Sequence, residues 1–187
     1  MRNTKVMLGA LAAVASLALV TTAVAAVVIK GTDRDDVITG TDRNDWVVAK
    51  KGNDTVNGLA GNDRLHGNQD NDTIDGGAGN DRVWGGYGND SLTGGDGDDV
   101  LRGRPGDDAL NGGAGNDIMW PGRGTDSQNG GDGDDVLHAL ARDNKVDTID
   151  CGPGNDVVWL NARETTDVHV NCERVKTVTV TGDGSDS

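Results

Sequence analysis

The sequence predicts an all-β repeat fold, and three observations predict it. From Gly31 to His138 the chain divides into twelve consecutive nonapeptides with no insertion. The sixth residue of every one is Asp, and the eighth is aliphatic or Met in eleven, Gln128 being the exception. Glycine fills the first position in ten and the fourth in nine. A short fixed period of this kind marks a chain that stacks small units rather than wrapping one compact core. Composition agrees, with no Phe, one Tyr and 30 Gly. One apolar side chain per nine residues buries too little surface to offset the entropy of ordering the chain. Something other than side-chain bulk must therefore order it.

The first element stands apart from the repeats. Arg2 and Lys5 precede an apolar run from Val6 to Val20, and Ala23-Val24-Ala25 follows. A positive start, an apolar stretch and an A-x-A site read as a secretory signal peptide over residues 1–25. That reading makes the protein secreted, extracellular or at the cell surface, with no stable membrane insertion after cleavage. The other reading is a retained anchor, since Val6 to Ile29 is long enough to span a bilayer. Loss of Arg2 and Lys5 takes the formal charge from -14 to -16. So acidic a chain calls for a cationic partner and excludes nucleic acid, which it would repel.

Within the repeats, glycines at positions one, two and four permit positive φ and close backbone approach. Asn or Asp dominates position five, and both tolerate tight turns. The Asp at six supplies hard anionic oxygen of the kind calcium takes. The aliphatic residue at eight points inward, while its neighbours at seven and nine point outward.

The clearest copies are Gly76-Gly77-Ala78-Gly79-Asn80-Asp81-Arg82-Val83-Trp84 and Gly94-Gly95-Asp96-Gly97-Asp98-Asp99-Val100-Leu101-Arg102. They resemble the RTX (hemolysin-type) calcium-binding repeat, G-G-x-G-x-D-x-U-x. The resemblance implies a parallel β-roll, a β-solenoid of about six two-repeat coils over residues 26–138. It also implies that six residues of each repeat turn while three form a strand. Several Ca2+ ions would then sit between stacked turns. One edge would carry Asp36, Asp54, Asp72, Asp90, Asp108 and Asp126, and the other Asp45, Asp63, Asp81, Asp99, Asp117 and Asp135. Stacked carboxylates about 4.8 Å apart repel by roughly 3.5 kcal/mol at an effective dielectric of 20, and an intervening divalent ion reverses that sign. The chain is therefore expected to fold on binding calcium. Arg34, Arg43 and Asp70 replace the glycine at position four, and Pro121 the glycine at position one. Each departure puts calcium binding at its own turn in question.

The two outward faces differ. Odd repeats present small polar residues such as Thr39, Thr55, Thr73 and Asn111. Even repeats present Trp46, Arg82, Trp84, Arg102 and Trp120, which suits a partner surface for cell-wall polysaccharide or a protein, or a homo-oligomer contact.

Residues 139–187 are expected to cap the roll. After an insertion at Ala139–Ala141 come two degenerate repeats, whose Asp147 and Asp156 are weaker metal candidates. Val157–Leu160 and Val175–Val180 read as strands. Cys151 and Cys172, in an exported chain, suit one disulfide, with two free buried thiols as the alternative. No catalytic motif appears, and His66, His138 and His169 lack metal-ligand spacing. The chain therefore reads as a binding module and not an enzyme.

Overall fold

The structure, a computed structural model, describes residues 26–141, 143–163 and 166–180. The expected signal peptide lies outside the described residues. Seventeen strands follow in order: β1 (Val27–Lys30), β2 (Val37–Thr39), β3 (Asp45–Lys51), β4 (Thr55–Asn57), β5 (Arg64–Gln69), β6 (Thr73–Ala78), β7 (Arg82–Tyr87), β8 (Ser91–Asp96), β9 (Val100–Pro105), β10 (Ala109–Ala114), β11 (Ile118–Arg123), β12 (Ser127–Asp132), β13 (Val136–Ala139), β14 (Thr148–Asp150), β15 (Val157–Asn161), β16 (Val168–Val170) and β17 (Arg174–Val178). Odd-numbered strands make a nine-stranded parallel sheet and even-numbered strands an eight-stranded one. The chain alternates between them, so each coil holds two repeats. Partners are 18 residues apart, as in Trp46↔Arg64 and Leu110↔Gln128.

The fold is the expected parallel β-roll, but it runs to about eight coils rather than six. β1 adds half a coil before the first nonapeptide, and β14–β17 extend both sheets beyond the twelfth. The segment expected to cap the roll does so by continuing it. The insertion at Ala139–Ala141 lengthens the register from 18 to 21 residues, as in Val136↔Val157. It is accommodated by burying Ala139 and Ala141, while Asn161 Nδ2 donates to the Ala141 carbonyl at 3.1 Å.

Strands are also longer than the resemblance implied. In most coils they cover positions seven to nine and continue through position three of the next repeat, leaving positions four to six for the turn. The ladder pairs at seven to nine and resumes at two and three, as in Thr93↔Asn111 and Gly95↔Gly113. The small residue at position one lies between these arms, where the edge carboxylate packs.

The core is two columns of position-eight side chains facing each other. Leu65, Ile74, Val83, Leu92, Leu101 and Met119 are fully buried. Gln128 interrupts one column. Its Nε2 donates to the His138 carbonyl at 3.1 Å, while Oε1 is buried without a partner. A buried unpaired acceptor costs about 1–3 kcal/mol. Gln128→Leu is therefore expected to stabilise the calcium-loaded protein by about 1 kcal/mol, read as a higher thermal midpoint.

The Cys151–Cys172 disulfide is formed, with Cα atoms 5.2 Å apart. It ties successive coils at the C-terminal end, where Cys151 is fully buried. Replacing both cysteines with Ala is expected to remove roughly 3 kcal/mol of stability, measured by chemical denaturation in calcium.

Charge divides between the sheets. Strands of the nine-stranded sheet carry Lys30, Lys50, Lys51, Arg64, Arg82, Arg102, Arg104, Arg123, Arg174 and Lys176. Strands of the eight-stranded sheet carry no Lys or Arg, but hold Asp75, Asp96, Asp132 and Asp150.

Candidate metal centre

Each edge of the roll carries a column of position-six carboxylates, joined by backbone hydrogen bonds. On one edge the Asp36 N–H donates to Asp54 Oδ1 at 2.8 Å. The same bond repeats from Asp54 to Asp72, Asp72 to Asp90, Asp90 to Asp108 and Asp108 to Asp126. It continues across the insertion from Asp126 to Asp147 at 2.9 Å. On the other edge Asp45, Asp63, Asp81, Asp99, Asp117, Asp135 and Asp156 form the equivalent chain, at 2.7–2.8 Å. The two columns are the ones expected from the repeat, and Asp147 and Asp156 join them.

The second carboxylate oxygen behaves differently. Oδ2 of Asp54, Asp63, Asp72, Asp81, Asp90, Asp99, Asp108, Asp117, Asp126, Asp135 and Asp156 is buried without a hydrogen-bond partner. In eight of these repeats it packs against the position-one glycine of its own repeat. A Cβ placed on Gly85, Gly103 or Gly112 would collide with Oδ2 of Asp90, Asp108 or Asp117, so glycine there makes room for the carboxylate. At position four, Gly79 has φ +131°, and a Cβ would collide with the carbonyl oxygen of Gly61 one coil back. Gly97 and Gly115 stand in the same relation to the carbonyls of Gly79 and Gly97. Each edge thus stacks carbonyl oxygens beside carboxylates.

Burial moves these groups strongly. Burial pushes the Asp108 carboxyl up to about 8; the Asp90 N–H opposes this, and the charges of Asp90, Asp126 and Asp107 add to it. The same burial raises Asp72, Asp99, Asp117, Asp126 and Asp147 to about 7, and Asp63, Asp90 and Asp135 to about 6. A carboxylate in this position is stabilised by a proton or by a cation. Among the described residues no cluster of three His, Cys, Asp or Glu side chains could hold a metal ion. A metal here must therefore draw on main-chain carbonyls as well as the carboxylates. That donor set is all oxygen, hard and partly anionic, which suits calcium's demand for six to eight oxygens and not zinc's for N and S.

A family model of the RTX calcium-binding nonapeptide repeat matches residues 30–65, 39–74, 66–101, 93–128 and 129–162. The chain belongs to this family. No curated protein matches the chain. RTX repeats bind several calcium ions per roll, so Ca2+ is this protein's cofactor and the roll a calcium-binding structural module. Bound calcium would supply positive charge and coordination to oxygen ligands.

The first two RTX turns are built otherwise. The Thr32 N–H and hydroxyl both donate to Asp36 Oδ2, at 2.6 and 2.9 Å. Thr41 does the same for Asp45, at 2.6 and 3.0 Å. These two hydrogen bonds occupy the oxygen that elsewhere has no partner. Arg34 and Arg43 also stay outside the left-handed region that the position-four glycines adopt. By contrast, the fifth repeat keeps the turn although Asp70 replaces glycine. Its φ is +73°, and its Oδ2 accepts from Gly52 N–H at 3.0 Å. The eleventh keeps it too, with Gly122 and Gly124 at positive φ and Asp126 buried.

Two features escaped the sequence reading. Position five forms a second ladder running the opposite way. The Asn71 N–H donates to Asn53 Oδ1, Asn80 to Asn62 and Asp107 to Asn89, at 2.9–3.0 Å. The steady Asn/Asp at that position was its signal. The carboxylate columns also end on acids not singled out: the Asp147 N–H donates to Asp167 Oδ1 at 3.1 Å, and the Asp156 N–H to Glu173 Oε2 at 3.0 Å. Glu173-Arg174-Val175 repeats the acid-x-apolar rhythm, which was the available clue there, whereas in Asp167-Val168-His169 a histidine takes the apolar place.

The expected partner-face residues all lie on the nine-stranded sheet. Position nine forms a stacked column there. His66 stacks on Trp84 at 4.3 Å, Trp120 on His138 at 4.7 Å, and His138 on Trp159 at 6.3 Å. Arg102 covers the other side of Trp120 at 4.7 Å, and Lys176 lies over Trp159 at 4.4 Å. Burial, with Arg102 beside it, lowers His138 to about 4. Burial, with Arg104 and Arg64 nearby, also lowers His66.

Proposed function

We propose that this is a secreted calcium-binding module whose roll assembles as ions enter between stacked turns. The row of buried carboxylate oxygens without partners carries the proposal. The ligands would be Asp54, Asp63, Asp72, Asp81, Asp90, Asp99, Asp108, Asp117, Asp126 and Asp135, with Asp147 and Asp156 at the C-terminal end. Asp36 and Asp45, whose Oδ2 atoms already accept from Thr32 and Thr41, would serve as metal-free end turns. Secretion rests on the N-terminal signal motif, and among the described residues no helix is long and apolar enough to cross a membrane.

Isothermal titration of the calcium-free protein tests the assignment. Several ions per chain are expected, with Asp36→Asn leaving the number unchanged and Asp99→Asn lowering it. One ion or none, or loss of a site with Asp36→Asn, would refute it.

An adhesin-like role for the nine-stranded face is a second reading. The separation of charge between the two sheets favours it.

A further inference from the structure

We infer that the nine-stranded face binds an acidic polysaccharide, a chain of sugars bearing carboxylates, laid across its strands. The inference rests on the calcium-loaded roll proposed above. Although the chain is strongly acidic, ten cations and no outward acid occupy this sheet's strands. The cations concentrate at its N-terminal half. Arg64 and Arg82 are exposed direct neighbours in register, so like charges face each other across one strand spacing, an arrangement that disfavours the sheet itself. Among the described residues neither is paired with a carboxylate, nor is Arg104. Two strands beyond Arg64 stands Arg104, on β9. From β3 to β9 the span is roughly 14 Å of sheet, enough for several points of contact with a linear polymer.

A cavity of about 270 Å³ opens beside one of these cations, Arg104, and is lined also by His66, Trp84, Asn68, Gln69 and Tyr87. Its lining combines a fixed cation, amides and a phenol that is 66% exposed, which suits hydroxyl and carboxylate groups. The ring faces of Trp120 are already covered by Arg102 and His138, and Trp84 is covered on one side by His66. The column is thus a stiff support and not an open platform for nucleobases, which favours the sugar polymer over a nucleic acid. Calcium completes the arrangement: by neutralising the edge columns it leaves this face's positive field locally dominant, within the screening length of about 8 Å at physiological salt.

The test uses the purified protein in calcium, with a short oligogalacturonate as probe, a neutral maltooligosaccharide and single-stranded DNA as comparisons, and sedimentation without any polymer. Circular dichroism comes first, so that failure of the roll to form with calcium is seen separately from failure to bind. Saturable oligogalacturonate binding is expected, weaker at high salt and absent for the neutral sugar. It should weaken at least tenfold in Arg64→Ser/Arg82→Ser/Arg104→Ser, which keeps the parent's calcium-induced spectrum. A folded protein that ignores oligogalacturonate overturns the inference and leaves the calcium reading standing. Equal binding of the neutral sugar or of DNA also overturns it. So does self-association that the triple variant abolishes, because the face would then belong to a second copy.

Discussion

Asp108→Asn is expected to weaken calcium-driven folding at least tenfold, while making the calcium-free chain more structured. Asn keeps an Oδ1 acceptor for the Asp90 N–H, so the ladder survives. What is lost is the charge on Oδ2, buried without a partner and packed beside Gly103. In the proposed calcium site that charge would be a ligand, and a charged hydrogen-bonding or coordinating group contributes about 1.5–3 kcal/mol, a factor of ten or more. Without calcium, it is a burden, as the rise of its pKa to about 8 records. The two effects have opposite signs, which a merely structural aspartate would not produce. Asp36→Asn is the control, because Asp36 Oδ2 already accepts from Thr32. A calcium titration followed by far-ultraviolet circular dichroism checks both variants. Equal shifts for Asp108→Asn and Asp36→Asn would contradict the account.

Acid is expected to replace calcium in part. The carboxyls of Asp63, Asp72, Asp90, Asp99, Asp108, Asp117, Asp126, Asp135 and Asp147 start from an ordinary value of 3.8 and rise to about 6–8. A raised acid favours the folded form when protonated. Its contribution is fully present below about pH 3.8 and is lost as pH climbs through 6 to 8. His66 and His138 act the other way, because their depressed pKa values penalise folding as pH falls below about 6.5. Two histidines oppose these nine carboxyls, so the carboxyls prevail. The calcium-free protein should therefore gain β-structure between pH 8 and about pH 4.5. Over the same range its calcium midpoint should rise, because protons compete for the same oxygens. A calcium-free spectrum independent of pH from 8 to 4.5 would refute this.

The nine-residue period made most of the architecture readable, because each repeat states its own turn, strand and inward residue. The pairing of residues 18 apart, the two Asp columns and the placement of Trp46, Trp84 and Trp120 on one face all follow from it. Legibility ended where the period did. Past Ala139 the spacing changes to 21, then to 20 or 17 residues, so Asp167 and Glu173 fell out of phase with the columns they terminate. The tryptophans were expected on a partner surface, and the stacking that the same 18-residue spacing creates, His66 on Trp84 and Trp120 on His138, was not foreseen. Thr32 and Thr41, not singled out from the sequence, supply hydroxyls that donate to Asp36 and Asp45. Asp70 looked disabling at position four, yet an Asp tolerates the left-handed conformation that the turn requires.

The most direct measurement is circular dichroism of the chain from Ala26 to Ser187 during a calcium titration, beside a magnesium control. At neutral pH the account predicts a largely unstructured chain that becomes β cooperatively near millimolar calcium and does not respond to magnesium. A chain already fully β in chelator at pH 7.5 would contradict it, since the buried carboxylates would then be tolerated without a cation.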